Sequence, residues 1–170
     1  AHLYNFPDKR SPPVGPPKMI SQTFLIFTVC LQVVVSRNNG APNSICNRKD
    51  LSPDHSGNKP RPDDENPYTL TASADTFEGG DSIEVTLTGS EPFGGFIIQA
   101  QGSDDKPIGA FEKSKDVKLI DKCSAVTHRN SNDKTKLTVT WIAPEDSSGK
   151  IKFRATVAKD FDNFWVNIKS

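Results

Sequence analysis

The chain has 170 residues, its 21 Lys and Arg are balanced by 21 Asp and Glu, and apolar residues make up 34% of it. A formal net charge of zero excludes a bulk nucleic-acid binder, which would be clearly basic, and a highly charged disordered chain. No run reaches the roughly 18 apolar residues of a transmembrane helix, while 10 Phe and 2 Trp can seed one core.

Residues Ala1–Lys18 show no hydrophobic period and hold Pro12, Pro13, Pro16 and Pro17 in a short stretch. They read as a disordered leader or as sequence upstream of the natural start; a Pro-rich tail that binds as polyproline II is the alternative. Met19 is the only methionine, and a natural start there is expected. From Met19 the character changes. Phe24–Val35 is an apolar run without charge, and it ends in Val34-Val35-Ser36. An apolar run followed by small or β-branched residues is the layout of a secretory signal peptide. The rival is a buried β-strand. Position after the sole Met favours the signal, so 19–36 is expected to be removed near Ser36.

Three cysteines are present, Cys30, Cys46 and Cys123. Cys30 falls in the signal. The mature chain 37–170 keeps two, and an even pair in a secreted protein reads as one disulfide. A zinc reading would pair Cys46 with His55 and Cys123 with His128, but neither spacing is that of a finger or ribbon. Loss of Lys9, Arg10, Lys18 and Asp8 with the first 36 residues leaves 18 basic and 20 acidic groups, a net charge of −2.

Residues 37–66 are rich in Asn, Pro, Asp, Gly and Ser and carry no helix or strand pattern, so an extended N-terminal arm is expected there. After Pro67 alternation takes over. Tyr68, Leu70 and Ala72 share one face, with Thr69 and Thr71 on the other. Glu78–Asp81 is a turn, and Ile83, Val85 and Leu87 alternate with Glu84, Thr86 and Thr88. Phe93-Gly94-Gly95-Phe96 precedes a strand at Ile97–Gln101. Ile108–Phe111 and Leu119-Ile120 are weaker strands. Leu137, Val139 and Trp141 alternate with Thr138 and Thr140. Ile151, Phe153, Ala155 and Val157 oppose Lys152, Arg154 and Thr156, and Phe164–Ile168 closes the series. The pattern predicts about eight strands over 67–170, an all-β antiparallel sandwich with one polar face per sheet. Trp141 is expected in the core next to the disulfide.

Several ordered stretches resemble the reeler domain family. They are Gly40-Ala41-Pro42, Cys46, Pro53-Asp54-His55, Pro67-Tyr68-Thr69-Leu70 and Phe93–Ala100, then Cys123, Val126-Thr127-His128, Val139–Pro144, Phe153–Val157 and Phe164-Trp165-Val166. Each piece is weak alone, but the ordered set spans the mature chain. The resemblance, to the family's short secreted insect form, implies an immunoglobulin-like sandwich with a Cys46–Cys123 disulfide. It also implies a secreted innate-immunity protein of the haemolymph, with binding to microbial surface components and a part in haemocyte nodulation. The larger members append oxidoreductase-like or adhesive modules, which the sequence through Ser170 does not carry. An extracellular adhesive or structural module that binds host proteins or cells is the rival function.

No enzyme motif stands out. G-x-S-x-G, H-E-x-x-H, a P-loop and G-x-G-x-x-G are all missing. The carboxylates of Asp63-Asp64-Glu65 and Asp104-Asp105 read as solvated loop charge. His55 and His128 are expected to make structural hydrogen bonds beside the disulfide. No catalytic residue, metal or cofactor is therefore expected. Lipopolysaccharide and lipoteichoic acid present phosphates next to acyl chains, so a receptor needs cations near apolar surface. Lys150, Lys152 and Arg154 are two apart and share a strand face, as do Lys134 and Lys136. If the two strands pair as a hairpin, all five cations lie on one outer face. Such a face is also what an ordinary solvated strand presents. A second group, Lys113, Lys115, Lys118 and Lys122, is interspersed with Asp116 and Asp121 and looks less focused.

Overall fold

The computed structural model describes residues 39–170. The expected leader 1–18 and signal peptide 19–36 lie outside the described residues. Between 39 and 170 the chain forms ten strands and three short 3-10 turns, with no α-helix.

The alternating segments become strands because each can bury one row of apolar side chains. One antiparallel sheet holds β1 (Tyr68–Ala72), β3 (Ser82–Phe93), β8 (Lys134–Ile142) and β5 (Ala110–Phe111), in that spatial order. The other runs β10 (Phe164–Lys169), β9 (Gly149–Ala158), β4 (Gly95–Gly102), β7 (Ala125–His128) and β6 (Val117–Ile120). The two-residue β2 (Thr76–Phe77) pairs with the start of β9. The expected sandwich is therefore present. The short β2 brings the total above the expected eight, as does the division of the region after Gly102 into β5, β6 and β7.

The core lies between the sheets. Leu70, Val85, Leu87, Val139 and Trp141 from one sheet meet Ile98, Val126, Phe153, Val157 and Trp165 from the other. Each such apolar side chain contributes about 1.5–3 kcal/mol on burial. Trp141 is fully buried and stands edge-on to Phe77 (5.2 Å) and Phe153 (6.0 Å). Its Nε1 donates to the Ile108 carbonyl at 2.9 Å, which satisfies its one polar atom. Gly109 lets the indole approach: at φ +66° a Cβ would stand 2.4 Å from Trp141 Cζ2.

A second apolar cluster covers the outside of the larger sheet. Ile45 and Leu51 from the arm pack with Ile97, Ile120, Cys123 and Ala125, beside the Cys46–Cys123 disulfide, whose Cα atoms are 5.7 Å apart. The arm is thus a third layer. It starts over β6, where Lys118 Nζ donates to the Asn39 and Ala41 carbonyls. Ala41 N donates to Thr127 Oγ1 on β7 (3.1 Å). Gly40 runs so close that a Cβ would stand 2.2 Å from the His128 carbonyl oxygen. Farther on, the Lys49 and Asp50 carbonyls accept from Arg154 and Thr156 on β9, and Arg61 N donates to the Phe164 carbonyl on β10 (2.8 Å).

Three expectations change. The larger sheet does not keep an open polar face, because the arm sits on it. Gln99 is buried, with Nε2 donating to the Cys123 carbonyl, and Gln101 is buried by the loop after β4, where its Nε2 donates to the Asp105 carbonyl. Trp141 belongs to the core between the sheets, while the disulfide belongs to the outer cluster. The two histidines do not flank the disulfide either. His55 stacks on Phe161 at 4.6 Å and meets Phe164 edge-on at 5.3 Å, and Phe96 N donates to His128 Nδ1 at 3.1 Å.

Candidate functional site

The five candidate cations do not share a face. β8 and β9 follow one another in sequence but lie in different sheets. Their apolar rows face each other across the core, with Trp141 on Phe153, instead of lying side by side as in a hairpin. Their outer faces therefore point away from each other.

Each cation then has its own setting. Lys136 is exposed on the outer face of the smaller sheet, opposite Thr88. Lys134 Nζ donates to the carbonyls of Gly94, Asn130 and Asn132, and burial lowers its pKa against the pull of Asp133 and Asp116. Arg154 is a fastener: Nη1 donates to the Lys49 carbonyl at 2.7 Å and Nε to Gln99 Oε1 at 2.9 Å. Its burial lowers its pKa, while Asp50 and Asp105 oppose that. Lys152 pairs with Asp105, whose carboxyl is held below its ordinary range by that bond. Lys150 and Lys152 line an open cleft of about 590 Å³ with Asp75, Ser103 and Ser170.

The second group also divides. Lys118 holds arm carbonyls, and Lys122 Nζ donates to Asn47 Oδ1. Lys113 and Lys115 remain on the loop between β5 and β6, and there they meet Arg129. These three with Ser114 line a cleft of about 540 Å³. The pairing of Val117 with His128 brings the residues before β6 beside the residue after β7. Arg129 was not among the sequence candidates. Its only signal was its place directly after the Val126-Thr127-His128 stretch, and that becomes informative once β7 and its partner β6 are known.

Arg129 is fixed in place. Its Nε and Nη2 donate to the Val117 carbonyl at 3.2 and 3.1 Å, and its backbone N donates to the Asp116 carbonyl at 3.3 Å. Ser114 Oγ accepts from Asp116 N at 3.4 Å, which leaves its hydroxyl hydrogen for another acceptor. Among the described residues no three or more His, Cys, Asp or Glu side chains are grouped so that they could hold a metal ion. No helix there is long and apolar enough to cross a membrane.

Comparison with known proteins fits this architecture. The profile of the Reeler domain matches residues 45–170. Putative defense protein 3 of Antheraea mylitta is 38% identical over 139 residues, which span 77% of this chain and 82% of that one. Putative defense protein of Bombyx mori is 35% identical, over 86% of this chain and 90% of its own. Ferric-chelate reductase 1 of Mus musculus is 34% identical over 89% of this chain, but only 26% of that protein is covered. Among solved structures, a human F-spondin reeler domain superposes with a TM-score of 0.55 over 75% of this chain and 95% of that one. At 19% identity that likeness concerns the fold.

Proposed function

The chain belongs to the reeler domain family, and from that premise we propose that it is a secreted defence protein of the haemolymph. It binds microbial surface components such as lipopolysaccharide or lipoteichoic acid and promotes haemocyte nodulation. The observation that carries this reading is the match in extent. The relatives named as defense proteins align over 80–94% of their own length, whereas the matched part is about a quarter of the ferric-chelate reductase. Reductase activity is therefore not carried over to this chain. A disulfide at Cys46–Cys123 suits an oxidising extracellular setting. The open cleft lined by Lys113, Lys115 and Arg129 supplies cations of the kind that phosphorylated glycolipids need.

The test is a binding panel on the purified protein. It uses lipopolysaccharide, lipoteichoic acid, peptidoglycan and whole bacteria, together with a nodulation assay on haemocytes. Saturable binding to at least one microbial component is expected. Absence of binding to all of them would overturn the reading. Saturable binding to haemocytes without any microbe would instead identify an adhesive module.

A further inference from the structure

We propose that Lys113, Ser114, Lys115 and Arg129 form a subsite for a phosphate group carried on a microbial glycan or glycolipid. The inference rests on the defence reading and locates the contact that reading requires.

Three basic residues and one serine line a single open cleft, and no acidic residue is among them. Glu112 and Asp116 are neighbours in sequence but do not reach the lining. The field of Asp116 falls on Lys134. Among the described residues no ion pair holds Lys113, Lys115 or Arg129. The carboxylates instead occupy other cations, as in Lys106–Asp104, Lys152–Asp105 and Lys159–Glu91. The rival cleft at Lys150 has Asp75 in its lining, and Asp105 takes up its second lysine.

The geometry suits phosphate. Two of Arg129's donors are spent on the Val117 carbonyl, so the planar guanidinium is held still before any ligand arrives. Nη1 keeps its hydrogens, and a pre-fixed guanidinium loses little freedom on binding an oxyanion. Lys113 and Lys115, the sequence neighbours of Ser114, add two point charges to the same lining. The cleft is open, so a phosphate borne on a long polymer or on a glycolipid headgroup can reach it. Its charges are solvent-exposed, so the contact weakens with added salt.

The experiment compares the wild-type protein, the double variant Lys113→Gln/Lys115→Gln, the variant Arg129→Lys and a control, Lys150→Gln. Probes are phosphorylated lipid A in neutral detergent micelles, the same glycolipid with its phosphates removed, glycerol-phosphate lipoteichoic acid, and inorganic phosphate. The first and third arms separate a glycolipid monoester from a polymer diester, and the last reports the bare ion. The expected result is that the double variant loses about tenfold or more in affinity for a phosphorylated probe and keeps the wild-type melting curve. Arg129→Lys, which keeps the charge but not the planar fork, loses less, and Lys150→Gln stays within about twofold. Wild-type binding that the double variant leaves unchanged would overturn this subsite and leave the defence reading standing. Equal binding to the dephosphorylated glycolipid would do the same. Failure of the wild type to bind any phosphorylated probe would also overturn the subsite, and the defence reading falls with it only if peptidoglycan and whole bacteria are not bound either.

Discussion

Arg154 on β9 donates from Nη1 to the carbonyl of Lys49 in the N-terminal arm, across 105 residues of sequence, at 2.7 Å. A side chain placed by strand alternation on an open basic face is thus the pin of a third layer. The same guanidinium reaches Gln99 Oε1 on the neighbouring β4, so it ties arm and sheet at one point. Thr156, two residues on, donates to the Asp50 carbonyl and repeats the attachment.

Replacing Arg154 by Gln should therefore destabilise the protein without touching microbial binding. A hydrogen bond made by a charged group contributes about 1.5–3 kcal/mol, and the loss should appear as a lower urea midpoint. Amide exchange should accelerate over residues 45–52 more than in β3 or β8. Uniform acceleration in all strands would show that the arm is not a separate layer.

The disulfide acts on the same layer through the unfolded chain. Cys46 and Cys123 close a loop of 77 residues, and in the chain-entropy model such a crosslink stabilises by about 4 kcal/mol. The double variant Cys46→Ala/Cys123→Ala should lose stability on that scale in chemical denaturation. A loss below about 1 kcal/mol would mean that the Ile45 and Leu51 contacts alone keep the unfolded chain compact.

Trp141 probes the other core. Trp141→Phe keeps an aromatic ring against Phe77 and Phe153 but deletes the donor to the Ile108 carbonyl. The buried carbonyl then loses its partner and a void opens where the indole was, so a cost of about 2–4 kcal/mol is expected. Because the disulfide lies in the separate outer cluster, this cost should add to that of the cysteine double variant within about 0.5 kcal/mol. Strong coupling between the two would place Trp141 beside the disulfide after all.

How far the sequence could be read follows from what alternation encodes. A period of two says which side of a strand is apolar, so Tyr68/Leu70, Ile83/Val85/Leu87 and Ile151/Phe153/Ala155 were legible as inward rows. It does not say which strand lies alongside. The rows of β8 and β9 fit a hairpin as well as two facing sheets, and only the meeting of Trp141 with Phe153 decides. Gln99 looks like an outward polar position of β4, and nothing local reveals that Arg154 will join it to an irregular arm. Arg129 joins Lys113 and Lys115 through the register of β6 with β7, a long-range fact absent from local pattern. The disulfide was readable because counting cysteines needs no geometry.

Acid should loosen the last part of the arm. His55 is stacked on Phe161, and burial lowers its pKa below the ordinary 6.5, against the Phe161 carbonyl and the carboxylates of Asp162, Asp54 and Asp160. A histidine with a depressed pKa binds fewer protons folded than unfolded, so stability rises with pH across the interval between the two values. Its contribution is complete above about pH 6.5 and is lost as pH falls from there through the lowered folded value. Asn58 and Arg61 anchor the adjacent arm to Asp162 and to the Phe164 carbonyl, so the effect should be local to residues 53–61 and the β9–β10 connection. Urea unfolding at pH 7.5 and 5.5 should show lower stability at the acid value. His55→Gln should remove most of that difference. The carboxylates with lowered pKa values, Asp50, Asp104, Asp105 and Asp160, act only in a more acidic range. An unchanged pH difference in His55→Gln would assign the acid sensitivity to another group and leave the His55–Phe161 stack without a role in it.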